Sequence, residues 1–447
     1  MVSLNKKAVH GAAWTFLGYG ASQGLRFIGN LILTRLLIPE YFGLMSLINT
    51  FVLGLVLFSD IGIGPSIIQN KRGNDPDFIN TAWTIQVIRG FGLWICSTII
   101  AWPVASFYDD RRLLWLIPIV GTTTVIQGFN SAALPLMRKS LDLRKFTIFE
   151  FVAQAISLVC MVTWAWFHPT VWALVGGNII SMSIKAVWSH HLMPEVKNRF
   201  HWDAAAAREM FSFGKWIFVS TATTFLASQA DRLILGKLFS FEMLGVYTVA
   251  FTLADLPSQV VARLCRQVIF PVVSAQAELG RGALHEKIAS KRRLLLLGMA
   301  LGVAMLFNVG DAIILTLYDD NYADAAWMLP ILAIGIWPMI LFHLCNSILL
   351  GVGQSIYGAV GNNFKVVYMI VTVPLAYQNF GLPGAIIAIA LNDILPYLVT
   401  MVGLVREKLP FFKQDILTTA AMVLSVAAIA LLRYSLGFEI SVSRLFL

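Results

Sequence analysis

The chain has 447 residues, of which 58% are hydrophobic and only 13% are charged. Its mean hydropathy of +0.75 lies well above that of an ordinary soluble domain, which excludes a soluble globular protein. We therefore expect an all-α polytopic membrane protein whose surroundings are a lipid bilayer.

Apolar stretches long enough to cross a bilayer recur along nearly the whole chain, since a spanning helix needs about 20 mostly apolar residues. Thirteen candidate spans meet this condition: 11–34, 41–68, 79–106, 112–137, 146–167, 170–192, 211–236, 242–275, 291–318, 325–351, 356–378, 382–405 and 415–436. Six precede the longest polar interval and six follow it, before one extra. We expect a lobe at 1–192, a cytoplasmic linker at 193–210, a second lobe at 211–406, and an added helix with an incomplete last span at 407–447.

Basic residues concentrate in alternate loops, so the net charge of +9 does not indicate nucleic-acid binding. One set of loops holds Lys6, Lys7, Lys71, Arg72, Arg138, Lys139, Arg144, Lys145, Lys197, Arg199, Arg208, Lys215, Arg281, Lys287, Lys291, Arg292, Arg293, Arg406, Lys408 and Lys413. The opposite loops hold Arg35, Arg111, Arg112 and Lys237 beside several aspartates. The positive-inside rule places the first set, and the N-terminus, in the cytoplasm.

The first span carries a polar stripe along its length. Tyr19, Gln23, Arg26 and Asn30 are spaced by 4, 3 and 4 residues, which places them on one face of a helix. An arginine at the middle of a membrane costs about 2.5–3.5 kcal/mol, so this face should meet protein or a water-filled cavity. Arg35, near the end of the span, is expected to extend to the headgroups instead.

The second to fourth spans add further polar groups. The segment FSDIGIGPSIIQ (58–69) has Asp60, two glycines and a proline close together, which predicts a break in the second span. That break is either a hinge or a kinked helix end, and the sequence does not separate the two. Gln86 and Arg89 follow in the third span, and Gln127 and Asn130 in the fourth.

An internal repeat connects the two halves of the chain. A shift of 202 residues places NLILTRLLIPEYFGLM (30–45) over RLILGKLFSFEMLGVY (232–247), with Arg35 over Lys237, Glu40 over Glu242, and Gly43 over Gly245. Both copies join an odd-numbered span to the next, so they share one orientation in the membrane. This predicts two six-helix lobes that are parallel pseudo-repeats, an arrangement found in many secondary transporters.

The second half also carries polar groups within spans. The eighth span holds Asp255, Gln259, Arg263 and Arg266 at helical spacing, the seventh holds Asp231 beside Arg232, the eleventh Lys365, and the twelfth Asn392 and Asp393. Asp255 with Arg263, or Asp231 with Arg232, could be structural ion pairs. Cations outnumber acids at similar depth in the membrane, which suits an anionic substrate, and the guanidinium group of arginine suits phosphate in particular. These cations are Arg26, Arg89, Arg263, Arg266 and Lys365.

Four segments together resemble a known family: TRLLIPEYFGLMSL (34–47), FSDIGIGPSIIQ (58–69), ADRLILGKLFSFEMLGVYTVA (230–250) and IFPVVSAQ (269–276). They are similar to the Wzx-like polysaccharide transporters of the multidrug/oligosaccharidyl-lipid/polysaccharide (MOP) exporter superfamily. The resemblance runs from about residue 8 to 406. It implies a bundle of twelve core helices in two lobes. Such a bundle moves an undecaprenyl-diphosphate-linked oligosaccharide across the bacterial cytoplasmic membrane by alternating access. It also makes a polysaccharide polymerase and glycosyltransferases the expected partners.

Residue roles follow from the polar positions and the resemblance together. The five cations are expected to bind the diphosphate, and the sugars to meet Tyr19, Gln23, Asn30, Gln127, Asn130 and Gln259. No phosphate-binding G-x-x-x-x-G-K-[ST] loop is present in the sequence, so an ion gradient is the expected energy source, with Asp60, Asp255 and Asp393 as coupling residues. No enzyme activity, cofactor or metal site is expected. The alternatives are a cation-coupled small-molecule exporter of the same superfamily and a membrane scaffold without transport.

Overall fold

The computed structural model describes residues 4–70, 72–140, 142–276 and 280–437. These residues form α-helices joined by short turns, together with one π-turn and one 3₁₀ turn. By internal contacts the chain divides into two compact units, Met1–Phe225 (unit 1) and Leu226–Leu447 (unit 2). The all-helical two-unit architecture expected from the sequence is therefore confirmed.

Unit 1 contains the first six predicted spans. Its helices are α1 (Leu4–Leu36), α2 (Pro39–Phe58), α3 (Ile63–Gln69), α4 (Pro76–Tyr108), α5 (Leu113–Gly128), α6 (Ala133–Lys139), α7 (Leu143–Phe167) and α8 (Val171–Ser189). The second span consists of α2 and α3, and the fourth of α5 and α6. Each of these two predicted spans is thus a pair of helices separated by a short non-helical segment.

The next helix, α9 (Ala204–Leu238), crosses the boundary between the units at Phe225. The polar interval predicted as a linker, 193–210, packs on unit 1. The backbone N–H groups of Arg199, His201 and Asp203 donate to Asn80 Oδ1, Thr84 Oγ1 and Thr81 Oγ1 of α4 at 2.9–3.0 Å. Apolar side chains at the start of α9 join a buried cluster of unit 1. Residues 193–203 of this interval are therefore a non-helical strap along α4, and residues 204–210 are the start of α9.

Unit 2 contains the remaining helices. They are α10 (Phe241–Ala254), α11 (Leu256–Leu264), α12 (Phe270–Ser274), α13 (Arg281–Leu317), α14 (Ala325–Gly351), α15 (Ile356–Ala390), α16 (Ile394–Arg406) and α17 (Phe412–Ser435). The π-turn Cys265–Ile269 connects α11 to α12. Helix α15 turns at Gly381, whose φ of 62° is a positive value that glycine adopts readily. The residues of α15 include all of the eleventh predicted span and the start of the twelfth.

Among the described residues, eight helices are long and apolar enough to cross a membrane, or ten if each of two bent pairs is one span. One of the eight, Ile356–Arg406, contains the turn at Gly381 and so holds two of the predicted spans. Helices α1 and α9 cover the predicted first and seventh spans. The helix order follows the predicted order of spans throughout.

The internal repeat is visible in the positions of helix ends. Helix α1 ends at Leu36 and α9 at Leu238, while α2 begins at Pro39 and α10 at Phe241. Both pairs of positions are separated by the same 202 residues as the matched sequences. Glu40 and Glu242 each lie in the first turn of the following helix, where a carboxylate complements the helix dipole.

The extra helix α17 is joined to α13 by two ion pairs of opposite polarity. Near one end, Arg292 of α13 binds Asp415 of α17, and near the other, Arg433 of α17 binds Asp311 of α13 at 2.7 Å. Arg292, which the sequence places among the loop cations, lies within α13, where its side chain is only 1% exposed and is paired with a buried carboxylate. The membrane side predicted for it stays a prediction.

Candidate functional site

The second span of unit 1 is broken where the sequence predicted it. Gly62 has a φ of 67°, and Asp60 Oδ1 accepts the Gly62 N–H at 2.9 Å to form a tight turn between α2 and α3. Arg89 of α4 closes this break, because its Nη2 donates to Val56 O and its Nε donates to Ser59 Oγ. The guanidinium thus satisfies a carbonyl that the ended helix leaves without a helical partner.

The fourth span is broken between α5 and α6, which meet at an angle of 59°. Gln86 of α4, three residues before Arg89, donates through Nε2 to the carbonyl oxygens of Gln127, Gly128 and Asn130 at 2.9–3.3 Å. His190 Nε2 lies 2.9 Å from Phe129 O in the same segment. One face of α4 therefore supplies the side chains that satisfy backbone carbonyls at both breaks.

The polar stripe of the first span lies beside the face of α1 that packs on α7. That packing face is marked by close approaches of Gly18 to Thr147 and of Gly29 to Leu158. Arg26 is exposed, and no carboxylate among the described residues lies within ion-pair distance of it. Arg26 is therefore an exposed guanidinium on α1, the helix that covers the predicted first span.

In unit 2 the eighth span bends by 48° after α10, at Asp255. Gln259 Nε2 donates to Asp255 Oδ2 at 3.1 Å. Arg263 follows in α11 and is half-buried, and Arg266 in the π-turn is exposed. The Asp255 side chain thus bonds to Gln259, not to Arg263 as one alternative from the sequence had it.

The twelfth span is interrupted at residues 391–393, between α15 and α16. Lys365, on the preceding span, donates through Nζ to both oxygens of Asp393 at 2.8 and 2.9 Å. Both residues are buried, with 8% and 7% of their surfaces exposed. Lys365, which is predicted to bind the diphosphate, and Asp393, which is predicted to couple transport to an ion, are therefore bonded to each other.

A cavity of about 230 Å³ lies within unit 2 between the seventh, eighth, tenth, eleventh and twelfth spans. Its polar lining consists of Ser228, Gln229, Asp231, Arg232, Asp255, Lys365, Asn392 and Asp393. Tyr247 donates its hydroxyl to Asp231 at 2.6 Å, and Arg232 donates to Gln229 Oε1 at 2.8 Å. The suggested Asp231–Arg232 pair is thus replaced by two separate contacts.

The structure brings only some of the predicted site residues together. Asp255, Lys365 and Asp393 share the cavity of unit 2, whereas Arg26, Arg89, Gln127 and Asn130 belong to unit 1. The roles assigned to all of these residues stay predictions. Sequence reasoning missed the capping role of Gln86, although its spacing of three from Arg89 was visible.

Comparison with known sequences identifies relatives in polysaccharide biosynthesis. A family model described as "Polysaccharide biosynthesis protein" matches residues 32–327. The lipopolysaccharide biosynthesis protein WzxC of Escherichia coli (strain K12) is 22% identical over 60% of this chain and 55% of its own length. The teichuronic acid biosynthesis protein TuaB of Bacillus subtilis (strain 168) is 20% identical over 79% and 73%, respectively. This chain therefore spans little more than half of the first relative.

Comparison with solved structures identifies the fold. The lipid II flippase MurJ, in an inward closed conformation, aligns with a TM-score of 0.70 at 11% identity, over 95% of this chain and 93% of MurJ. An inward-facing multidrug resistance MATE transporter of the MOP superfamily aligns with a TM-score of 0.64 at 14% identity, over 89% and 95%. These likenesses confirm the MOP-type fold. Because the family model covers well over half of the residues, the chain belongs to the polysaccharide biosynthesis protein family, the Wzx-like family that its motifs resemble.

Proposed function

We propose that this protein moves a polyprenyl-diphosphate-linked oligosaccharide across the bacterial cytoplasmic membrane by alternating access. Membership in the polysaccharide biosynthesis family supports the substrate class. A relative of 21% identity, covering 79% of this chain, is the succinoglycan biosynthesis transport protein ExoT of Rhizobium meliloti (strain 1021). The observation that carries the proposal is Arg26, an exposed guanidinium beside three polar side chains on α1, the helix that covers the predicted first span.

Within each unit, arginines that are exposed or half-buried would bind the diphosphate: Arg26 in unit 1, and Arg263 and Arg266 in unit 2. A guanidinium can donate two parallel hydrogen bonds to a phosphate, which makes arginine well suited to this ligand. Arg89 and Lys365, also predicted for this role, already bond to Val56 O with Ser59 and to Asp393, respectively. Binding a diphosphate would require them to give up these bonds.

The sugars would meet the hydroxyl and amide groups that share the stripe with Arg26. Tyr19, Gln23 and Asn30 are each half-buried beside it on α1. The carrier is proposed to be an undecaprenyl diphosphate, and the N-terminus to lie in the cytoplasm, as the distribution of basic residues indicates. A polymerase and glycosyltransferases that make and use the lipid-linked unit are the proposed partners.

The proposal can be tested in a strain whose surface polysaccharide depends on this protein. We expect Arg26→Gln and Arg263→Gln, made singly, each to reduce export about tenfold or more, because a hydrogen bond to a charged group contributes about 1.5–3 kcal/mol. Arg35→Gln, near the end of the same helix, is the matched control and should export normally. Full export by both variants at normal protein levels would reject the diphosphate site.

A further inference from the structure

We propose that the cavity of unit 2 binds a single neutral, hydroxyl-rich saccharide unit of the transported lipid. This inference rests on the proposed function and adds a second recognition site to it, separate from the arginines that hold the diphosphate. It follows from the charge, the hydrogen-bonding capacity and the size of the cavity.

The charge of the lining disfavours a phosphate. Three aspartates, Asp231, Asp255 and Asp393, face two cations, Arg232 and Lys365, so the lining carries one net negative charge when all five are ionised. Lys365 is moreover bonded to both oxygens of Asp393 and has limited capacity for another anion. A phosphate group would enter a negative, partly buried site, where like charges repel strongly.

The polar groups of the cavity favour a ligand that donates hydrogen bonds. Asn392 is 94% buried, because only 6% of its surface is exposed, and it lines the cavity. Its Nδ2 contacts Met369 Sδ at 3.4 Å, but its Oδ1 has no hydrogen-bond partner among the described residues. A buried acceptor left in this state costs about 1–3 kcal/mol. A hydroxyl group of a ligand would supply the missing donor.

Further acceptors surround Asn392. Asp255 has a neutral amide, Gln259, as its hydrogen-bond donor, and Asp393 is held in a fixed orientation by Lys365. Carboxylate and amide oxygens fixed in this way can each accept a hydrogen bond from a hydroxyl group. Lys365 thus pairs with Asp393 within the lining and leaves the other acceptors of the cavity to a ligand.

The size and one apolar wall agree with a single sugar. The cavity volume of about 230 Å³ corresponds to roughly eight water molecules at about 30 Å³ each, which is room for a monosaccharide. The ring of Phe251 lines one side and is itself in contact with Arg232, whose Cζ lies 5.5 Å from the ring centroid. The C–H face of a pyranose can pack against such a ring.

The test uses purified protein in vesicles and two probes, a polyprenyl diphosphate carrying one N-acetylhexosamine and the same polyprenyl diphosphate without a sugar. We expect wild-type protein to move the sugar-bearing probe faster. Asn392→Leu should slow that probe about fivefold to tenfold, which is the loss of roughly one hydrogen bond, and leave the bare carrier unaffected. Asn379→Leu, on an exposed part of α15, is the matched control and should slow neither probe.

Each remaining outcome has a separate meaning. If wild-type protein moves neither probe, the proposed function itself fails. If wild-type protein moves both and Asn392→Leu slows both equally or neither, the saccharide inference is wrong. Asp255→Asn is a second variant, which keeps the size of the side chain, and it should slow the sugar-bearing probe more than the bare carrier. If it instead removes a sodium dependence shared by both probes, the cavity is a cation site and the inference is overturned.

Discussion

The two units contain broken spans that are closed by different chemistry. In unit 1, side chains of α4 donate to backbone carbonyls: Arg89 to Val56 O and Gln86 to three carbonyls of the fourth span. In unit 2, the break of the twelfth span is closed by a bond between two side chains, Lys365 and Asp393, and that of the eighth carries Asp255 facing a cavity. The side chains that bond to the breaks of unit 1 therefore stabilise the fold, while the breaks of unit 2 also line a polar pocket.

This difference shows that a duplicated sequence need not keep duplicated chemistry. The repeat fixes where helices end, since α1 and α9, and α2 and α10, have ends 202 residues apart. An aspartate follows the first helix of the second span in each unit, but the 202-residue shift places Asp60 over Ala262 and not over Asp255. Asp60 accepts a backbone N–H of its own turn, whereas Asp255 accepts from a side chain and lines a cavity.

The largest effect is expected where unit 2 uses a fully buried ion pair. Arg292→Leu should lower the free energy of unfolding by about 3–5 kcal/mol, because it leaves the Asp415 carboxylate buried without its cation. The double variant Arg292→Leu/Asp415→Leu should recover most of that loss. Reversible unfolding in mixed micelles measures both. Arg293→Leu, at an exposed neighbouring position, is the control, and an equal loss there would contradict the account.

A second test separates pairing from ligand binding at Lys365. If its role is to neutralise Asp393, Lys365→Met should reduce the amount of folded protein and export severalfold, and Lys365→Met/Asp393→Asn, which keeps an acceptor oxygen in the cavity, should restore both. If Lys365 binds the diphosphate, the double variant should fold well and still fail to export. The ratio of export to folded protein in the membrane distinguishes these results.

The side chains of α4 that bond to the broken spans of unit 1 should contribute less to the free energy of unfolding than the ion pairs. Gln86→Leu removes the side-chain donor from the carbonyls of Gln127, Gly128 and Asn130, and we expect a loss of about 1–3 kcal/mol in the free energy of unfolding. Ile88→Leu, on an exposed position of the same helix, should change it little. A neutral effect of Gln86→Leu would show that the carbonyls are satisfied in another way.

The smallest effect concerns the strap along α4 and depends on pH. The Arg72 guanidinium, together with the backbone N–H of Ala205, holds the pKa of the exposed Asp203 carboxyl below its usual value near 3.9. A lowered pKa in the folded state means that the stabilisation is present above about pH 4 and is lost as the pH falls through the folded-state pKa.

We therefore expect the protection of residues 199–205 from hydrogen exchange, measured relative to the intrinsic rate at each pH, to be high at neutral pH and to fall below about pH 4. Arg72→Gln should reduce the size of that pH-dependent fall, because it removes the largest cause of the lowered Asp203 pKa. An unchanged pH profile in this variant would show that Arg72 does not hold the strap. Arg199→Gln, an exposed neighbour, is the control.

Much of the fold could be predicted from composition and periodicity. Hydrophobic length located the spans, and Gly62 with Pro65 indicated the break that the structure places between α2 and α3. These signals are local, because a helix needs a continuous apolar stretch and breaks where glycine or proline interrupts its hydrogen bonds. The repeat was detectable for the same reason, since it preserves a turn.

The partners of the polar residues could not be predicted, because they depend on which helices pack together. Lys365 and Asp393 are 28 positions apart, and Arg292 and Asp415 are 123 apart. A spacing rule places side chains on a face of one helix but does not identify the helix opposite. Lys365 was therefore interpreted as a cation free for phosphate, and Arg292 as a loop charge.

The most direct test of the central claim is translocation by the purified protein. Vesicles would contain a polyprenyl-diphosphate-linked oligosaccharide in both leaflets, and an impermeant glycosidase added outside would report how much of it reaches the outer leaflet. We predict that wild-type protein makes nearly all of the lipid accessible, whereas Arg26→Gln leaves most of the inner-leaflet share protected. Folded wild-type protein that exposes no more lipid than protein-free vesicles would contradict the account.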